Sequence, residues 1–525
     1  MLRRRLRRAR MIRSVPVSLF SRRSVLSERQ AAEWSRRHPL GRIVFKRSAP
    51  RRIFQKYKSG FEYLMIPARG ECLFLPLGGT GEIGMNLTLY GHDGAWIAVD
   101  MGITFGGDDF PDHAVMMPDP AFIAARRERL AGIVLTHGHE DHVGALPYLW
   151  KRLRCPVYAT PFTAALARTK LARAGIDDAP LVEISPGERF RIGPFAVEYI
   201  VMTHSIPEPN TLLIGTPVGA VLHTGDWKLD DRPVVGRGYD HSRLSALRRE
   251  PLLAMVCDST NAMVPGRTGF EGDLYEPLLA LGAEAAGRIV VTAFASNIAR
   301  LVTLARVARS LGRRFGVVGP AMEHMVAVAR ATGHWPDDLP ELVEARHIGH
   351  LPRSEVFAAC TGSQGEPRSA LALLAQDLHR DLSLDAGDTV VFSSRVIPGN
   401  ERAVARIHQR LRETGVHLVT DADARVHVSG HPAQEDLRQL YEWVQPPAVI
   451  PVHGTPRHLA ANAELAAACH VPHACVVQNG DICRLSRAGI QKLDGIETGR
   501  LFVQPDGRLA PVPKDILREM RTKVH

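Results

Sequence analysis

The sequence predicts an α/β fold interrupted by a second α/β unit. Three observations carry this expectation. From residue 72 onward, short apolar runs alternate with apolar residues at helical spacing. Most of those runs stop at a His or Asp, or at a polar turn. Residues of metal-ligand type then resume after a central stretch that has an alternation of its own.

The runs at 94–100, 132–136, 196–204, 219–226, 253–258, 288–292, 389–392 and 448–453 read as strands. Strand ends that meet at one sheet edge are rigid mounts for polar groups. In the central stretch, Ile298, Leu301, Leu304 and Ala308 stand at helical spacing, and 315–319 follows as a strand. The expected organisation is a basic extension at 1–64, a first unit at 70–271 that resumes at 436–500, an inserted unit at 272–435, and a tail at 501–525.

A chain of 525 residues is long enough for two or three cores, and 45% hydrophobic with 23% charged residues is ordinary for a soluble protein. No apolar run approaches the roughly 18 residues that a membrane span needs, so no membrane partner is expected. The formal charge of +11 comes from one end: residues 1–60 hold 19 Lys or Arg against Glu28 and Glu33, and the remainder carries −6. Bulk charge therefore does not argue for a nucleic-acid partner. The arm reads as a transit-like presequence or basic arm, or else the chain starts at Met65, since globular patterning begins abruptly at Cys72. Seven cysteines form no CxxC pair, which fits reduced thiols in the cytoplasm better than disulfides or a cysteine zinc site.

The strongest local signal is His137-Gly138-His139-Glu140-Asp141-His142, three His and one Asp within six residues. It follows a strand-like run and precedes the helical pattern Val143, Leu146, Leu149, Trp150. A solvated polar turn seldom reaches that density. Imidazole and carboxylate together suit zinc, with manganese as the alternative. His204, Asp226 and His453 each close a strand-like run. With them the set divides into His137, His139 and His204 for one ion and Asp141, His142 and His453 for a second, with Asp226 as the bridge. Such a pair supplies a water nucleophile at neutral pH and neutralises attacking and leaving oxygens, which suits phosphodiester cleavage. Ser296-Asn297 precedes a helix, and the turn Ser363–Pro367 puts Pro at an expected first helical position; both offer backbone N–H groups to an anion, or simple capping. His347 and His350 lack strand-end placement and are expected at the surface.

The stretch THGHEDHVGALPYLW (136–150) resembles the signature of the metallo-β-lactamase fold. LPLGGTGEIGMN (75–86), THSIPEPN (203–210), HTGDWKLD (223–230), DSTNA (258–262) and TAFASNIAR (292–300) resemble the ribonuclease J family. So do TGSQGEP (361–367), SSRVIPGNE (393–401), HVSGH (427–431) and VIPVHG (449–454). The resemblance implies an αββα metallo-β-lactamase sandwich with an inserted α/β β-CASP domain. It also implies metal-dependent hydrolysis of RNA, 5′→3′ exonucleolytic with endonucleolytic activity, in RNA maturation and decay. By position, Asp258 and His431 match the acid–base pair, and Asp100 matches a strand-end Asp that orients ligands. Ser296, Asn297 and the segment His427, Val428, Ser429, Gly430, His431 match RNA contacts. The implied partner is single-stranded RNA with a 5′-monophosphate end, and the implied cofactor two Zn²⁺, or Mn²⁺. Members of the family form homo-oligomers and carry a further domain after the core; the sequence stops at His525, soon after the core, so oligomerisation is an expectation from the family rather than from these residues.

Three other functions compete. A small-molecule hydrolase on the same fold would lack the insertion and HVSGH. A DNA-directed β-CASP nuclease typically lacks a histidine at the last motif, where His453 stands. A non-catalytic RNA-binding subunit would not need an intact donor set.

Overall fold

The computed structural model describes residues 66–523 apart from 107–109 and 398; the basic arm at 1–64 lies outside the described residues. Two large sheets form the main unit. One has eight strands, with Cys72–Gly78, Leu87–His92, Ala95–Val99 and Leu130–Val134 at its centre. The other has seven, with Phe195–Val201, Asn210–Thr216, Gly219–His223, Leu252–Asp258 and Ala448–Val452 in line.

The period-two alternation of the strands explains the layering. In the first sheet Phe74 points into a core shared with the second sheet, whereas Leu73, Leu75 and Leu77 pack on an outer layer with Leu146, Leu149 and Trp150. In the second sheet Ala254 and Val256 face that shared core, while Met255 and Cys257 pack on Leu437, Leu440 and Tyr441. Helices thus cover both outer faces, which is the expected αββα sandwich.

The inserted unit is built on a five-stranded sheet in the order Arg314–Val318, Val356–Cys360, Ile289–Thr292, Thr389–Phe392, His417–Val419, with every pair parallel. Its strands are apolar on both faces because parallel sheets are covered on both. Val291 faces the layer holding Leu301 and Leu304, and Val290 faces the layer holding Leu371 and Leu374.

Topology delivers the polar strand ends to one place. Gly219–His223, Leu252–Asp258 and Ala448–Val452 run parallel and adjacent. Their C-terminal ends, carrying Asp226, Asp258 and His453, therefore reach the same edge.

One sequence expectation changes here. The turn 361–367 does not open a helix at Pro367: the helix is Ala370–Leu374, capped by Ser369 Oγ accepting from Ala372 N at 3.3 Å. Gln364 instead ties the turn to the backbone at Arg395 and Ile397, so tertiary contacts override the proline rule. The segment after residue 500 packs on the main unit. Arg500–Val503 pairs antiparallel with Val115–Pro118, and Val512 and Met520 pack against Met85 and Met116.

A buried ion pair anchors the helix Ile298–Ser310. Arg300, fully buried, donates to Glu271 Oε1 at 2.6 Å and to Ser393 O at 2.7 Å. Breaking such a pair by removing one partner costs about 3–5 kcal/mol, because the other charge is left without a counter-charge.

Candidate metal centre

Seven of the sequence-derived residues converge at the edge described above. One group is His137, His139, His204 and Asp226; a second is Asp141, His142, Asp226 and His453; within each group one ligand atom per residue lies within 4.8 Å of the others. His139 Nδ1 is 3.1 Å from His137 Nε2 and 3.0 Å from His204 Nε2. Asp226 Oδ2 lies 3.1 Å from His142 Nε2, 3.4 Å from His453 Nε2, 3.8 Å from His204 Nε2 and 3.9 Å from His137 Nε2. One oxygen at the centre of four imidazole nitrogens is placed to belong to both groups.

The outer nitrogens of four of these rings are held by hydrogen bonds. His204 Nδ1 donates to Gly430 O at 2.6 Å, and His453 Nδ1 donates to Asn86 Oδ1 at 3.1 Å. His142 Nδ1 donates to Asp100 Oδ2 at 2.7 Å, and His137 Nδ1 donates to Thr136 Oγ1 at 3.0 Å. Thr136 in turn donates through Oγ1 to Asp100 Oδ2 at 2.8 Å. Each hydrogen bond fixes a tautomer and aims the remaining lone pair inward.

Electrostatics differ between the halves. Burial holds His137 and His204 well below the usual imidazole range and brings His139 down to about 4, so these rings are neutral. Burial also pulls His142 and His453 down, but Asp226 and Asp141 beside them outweigh it and raise both. Asp226 is depressed despite its burial, by His142 and His453. A cluster in which carboxylates must be balanced by protonated imidazoles is one that cations would neutralise with proton release. The donor set, nitrogen and oxygen without sulfur, fits divalent zinc or manganese.

Asp258 and His431 form an adjoining pair. His431 Nδ1 is 2.8 Å from Asp258 Oδ2, and Asp258 Oδ1 accepts from Thr260 N at 2.8 Å. Asp258 is fully buried, whereas the His431 side chain is 21% exposed, so His431 is the member that a substrate can meet. Burial would lower His431, but Asp258, with Asp226 and Asp141 behind it, pushes it up to about 9.

The remaining sequence candidates are placed less uniformly. Asn297 caps its helix, Oδ1 accepting from Arg300 N at 2.9 Å, and Ser296 is half-buried beside it. Ser429 Oγ accepts from Asn261 Nδ2 at 2.9 Å, and His427 Nδ1 is buried with no hydrogen-bond partner. Val428 departs from the expectation: its side chain packs in the inserted unit's core, leaving only its backbone for a ligand. His347 and His350 are exposed.

Sequence reasoning missed Asn86, Thr136 and Asn261. Asn86 had a signal in the glycine run before it, because a Cβ on Gly79, at φ +82°, would fall 2.2 Å from Asn86 Oδ1. Glycine there makes room for that side chain.

Comparison with known proteins agrees with this geometry. A family model described as "Ribonuclease J, beta-CASP domain" matches residues 286–411, "Metallo-beta-lactamase superfamily" matches 81–256, and "Zn-dependent metallo-hydrolase RNA specificity domain" matches 423–473. Ribonuclease J of Sinorhizobium meliloti is 45% identical over 444 residues, covering 84% of this chain and 78% of that protein. The chain belongs to the ribonuclease J family. Ribonuclease J of Mycobacterium tuberculosis is 39% identical, covering 84% of this chain and 79% of that protein. Ribonuclease J 1 of Streptococcus pyogenes is 35% identical, covering 85% and 80%. In fold, the chain also resembles a protein of unknown function from Enterococcus faecalis V583, at TM-score 0.56 and 16% identity, covering 79% of this chain and 100% of that one. A ribonuclease J-type chain is a metal-dependent RNA nuclease, and the residues gathered at the sheet edge are of the kind that chemistry requires. Among the described residues no helix is long and apolar enough to cross a membrane.

Proposed function

We propose that this chain hydrolyses single-stranded RNA from a 5′-monophosphate end, 5′→3′, with internal cleavage as a second activity, in cytoplasmic RNA maturation and decay. The observation that supports this reading best is the single carboxylate Asp226 standing between two imidazole clusters, with the His431–Asp258 pair alongside. His137, His139 and His204 would hold one zinc ion and Asp141, His142 and His453 a second, Asp226 serving both; manganese is the alternative. Bound ions would acidify a water and neutralise phosphoryl oxygens.

The chain's own groups then have distinct tasks. His431 donates the proton that the leaving 3′ oxygen needs, since it is the accessible member of its pair and Asp258 Oδ2 lies 2.8 Å from its Nδ1. Asp258 does not touch substrate; it orients the ring and stabilises its charge, with Thr260 N holding its other oxygen. Gly430 O, which receives the His204 proton, belongs to the same segment as His431, so proton donor and first ion site are set at a fixed spacing.

That segment also supports a phosphate pocket. His427 is neutral, burial with Arg300 and Arg395 nearby lowering it to about 3, and its ring proton serves the Ser393 backbone, so its bare Nδ1 can only accept and the phosphate contact falls to Ser429. Ser429 Oγ, while accepting from Asn261, keeps its own proton for a phosphoryl oxygen. A 5′ phosphate seated there, with Ser296 and Asn297 at the helix start opposite, would set the length of RNA between its end and the ions. The test compares 5′-monophosphate, 5′-hydroxyl and 5′-triphosphate RNAs of one sequence. The parent should degrade the monophosphate RNA fastest, and Ser429→Ala should erase that preference by about tenfold or more, at roughly 1.5–3 kcal/mol per charged hydrogen bond. Equal rates on all three ends in the parent would remove the pocket.

A further inference from the structure

The second half of the metal centre is held from a distance by residues outside the donor set. His453 ends its strand at φ +54°, a left-handed conformation that costs a non-glycine residue energy and must be held from outside. Three hydrogen bonds hold it, two of them from one loop: His453 N donates to Gly79 O at 2.7 Å, its ring donates to Asn86 Oδ1, and its carbonyl accepts from Thr260 Oγ1 at 3.0 Å. Asn86 Nδ2 also donates to Asp141 O at 3.1 Å and lies 3.0 Å from His142 Nε2, so the loop from Gly79 to Asn86 contacts all three of that half's own members.

This loop has left-handed glycines at Gly79, Gly81 and Gly84 and no regular hydrogen bonding of its own. Glu82 organises it. Its Oε1 accepts from Gly79 N at 3.2 Å and from Asn479 Nδ2 at 2.6 Å, and Glu82 pairs as an isolated β-bridge with Gly454, the neighbour of His453. Asn479 Oδ1 accepts in turn from Thr80 N at 3.1 Å. A buried carboxylate needs a counter-charge, and here Arg500 supplies it, Arg500 Nη2 donating to Glu82 Oε2. Arg500 stands where the strand Arg500–Val503 joins Val115–Pro118, so it is delivered by the C-terminal segment of the fold.

We propose that Arg500, through Glu82, is a positioning residue for the Asp141–His142–His453 half of the metal centre. It touches neither ion nor substrate. The His137–His139–His204 half is supported instead by Thr136 and Gly430, which make no hydrogen bond to Glu82, Asn86 or Arg500 among the described residues. The inference rests on the two-ion reading above. Losing an outer partner of a metal ligand typically costs about 10–100-fold in affinity, and here that loss falls on one ion only.

The experiment titrates Zn²⁺ into metal-stripped full-length protein against a competing chelator, with circular dichroism as the folding control. The parent should bind two ions; in Arg500→Gln one should bind as in the parent and the other about tenfold or more weaker. Arg500→Lys, which keeps the charge, should recover part of the loss. A purely structural role would lower thermal stability and leave both affinities unchanged. Parental affinity at both sites in folded Arg500→Gln, or equal weakening of both, overturns the proposal. Should that variant fail to fold, Glu82→Gln, which keeps acceptors for Gly79 N and Asn479, is read in the same way. A parent that binds a single ion would instead sink the two-ion reading, and this inference with it.

Discussion

Asp226→Ala should empty both ion sites and abolish measurable cleavage, whereas His453→Ala should retain about one ion of two. The difference follows from geometry. Asp226 Oδ2 lies within 4 Å of nitrogens from both groups, while His453 reaches only Asp226 and Asp141 among the carboxylates of the centre. Removing the shared oxygen takes one ligand from each site and the charge that balances four imidazoles. Transition-state stabilisation by a bound ion is worth several kcal/mol, so a loss of about a thousandfold or more in rate is expected. Elemental analysis of both variants reads the occupancy directly. Two ions retained in Asp226→Ala would exclude it as the bridge.

His431→Ala should lower the rate by about 10²–10⁴-fold, the usual worth of a positioned proton donor, with both ions still bound. Asp258→Asn should cost less than His431→Ala but in the same step, because the ring remains while its orienting charge is gone. The signature lies in the leaving group. An RNA analogue whose leaving oxygen needs no proton, such as a 3′-bridging phosphorothiolate, should be cleaved by His431→Ala at close to the parent rate. An equal deficit on both substrates would mean that His431 acts by holding the segment in place.

How much of this was legible in the sequence depends on the kind of contact. The αββα sandwich and the inserted unit could be read because strand alternation and helical spacing are local patterns. The donor residues His137, His139, Asp141 and His142 stand together in sequence, and His204, Asp226 and His453 betray themselves by closing apolar runs. Their supports leave no such trace. Gly430 serves His204 through a backbone carbonyl, which every residue has, across 226 positions. Arg500 reaches Glu82 across 418 positions, and nothing local in either residue announces it. Val428 was read as part of a contact motif, yet valine in a strongly apolar layer packs inward. Pro367 was read as a helix start, but Gln364 ties that turn elsewhere. Local rules fail where long-range contacts contribute more free energy than the few tenths to one kcal/mol of a propensity.

This centre should cut RNA only with ions held by its own His and Asp residues. The most direct test incubates metal-stripped protein with 3′-labelled single-stranded RNA and DNA of one sequence, before and after adding Zn²⁺ or Mn²⁺. Expected are no cleavage without the ion, progressive shortening of the 5′-monophosphate RNA once it is restored, and little action on the DNA. Protein that holds two ions yet leaves the RNA intact, or cuts both polymers at equal rates, would contradict this expectation.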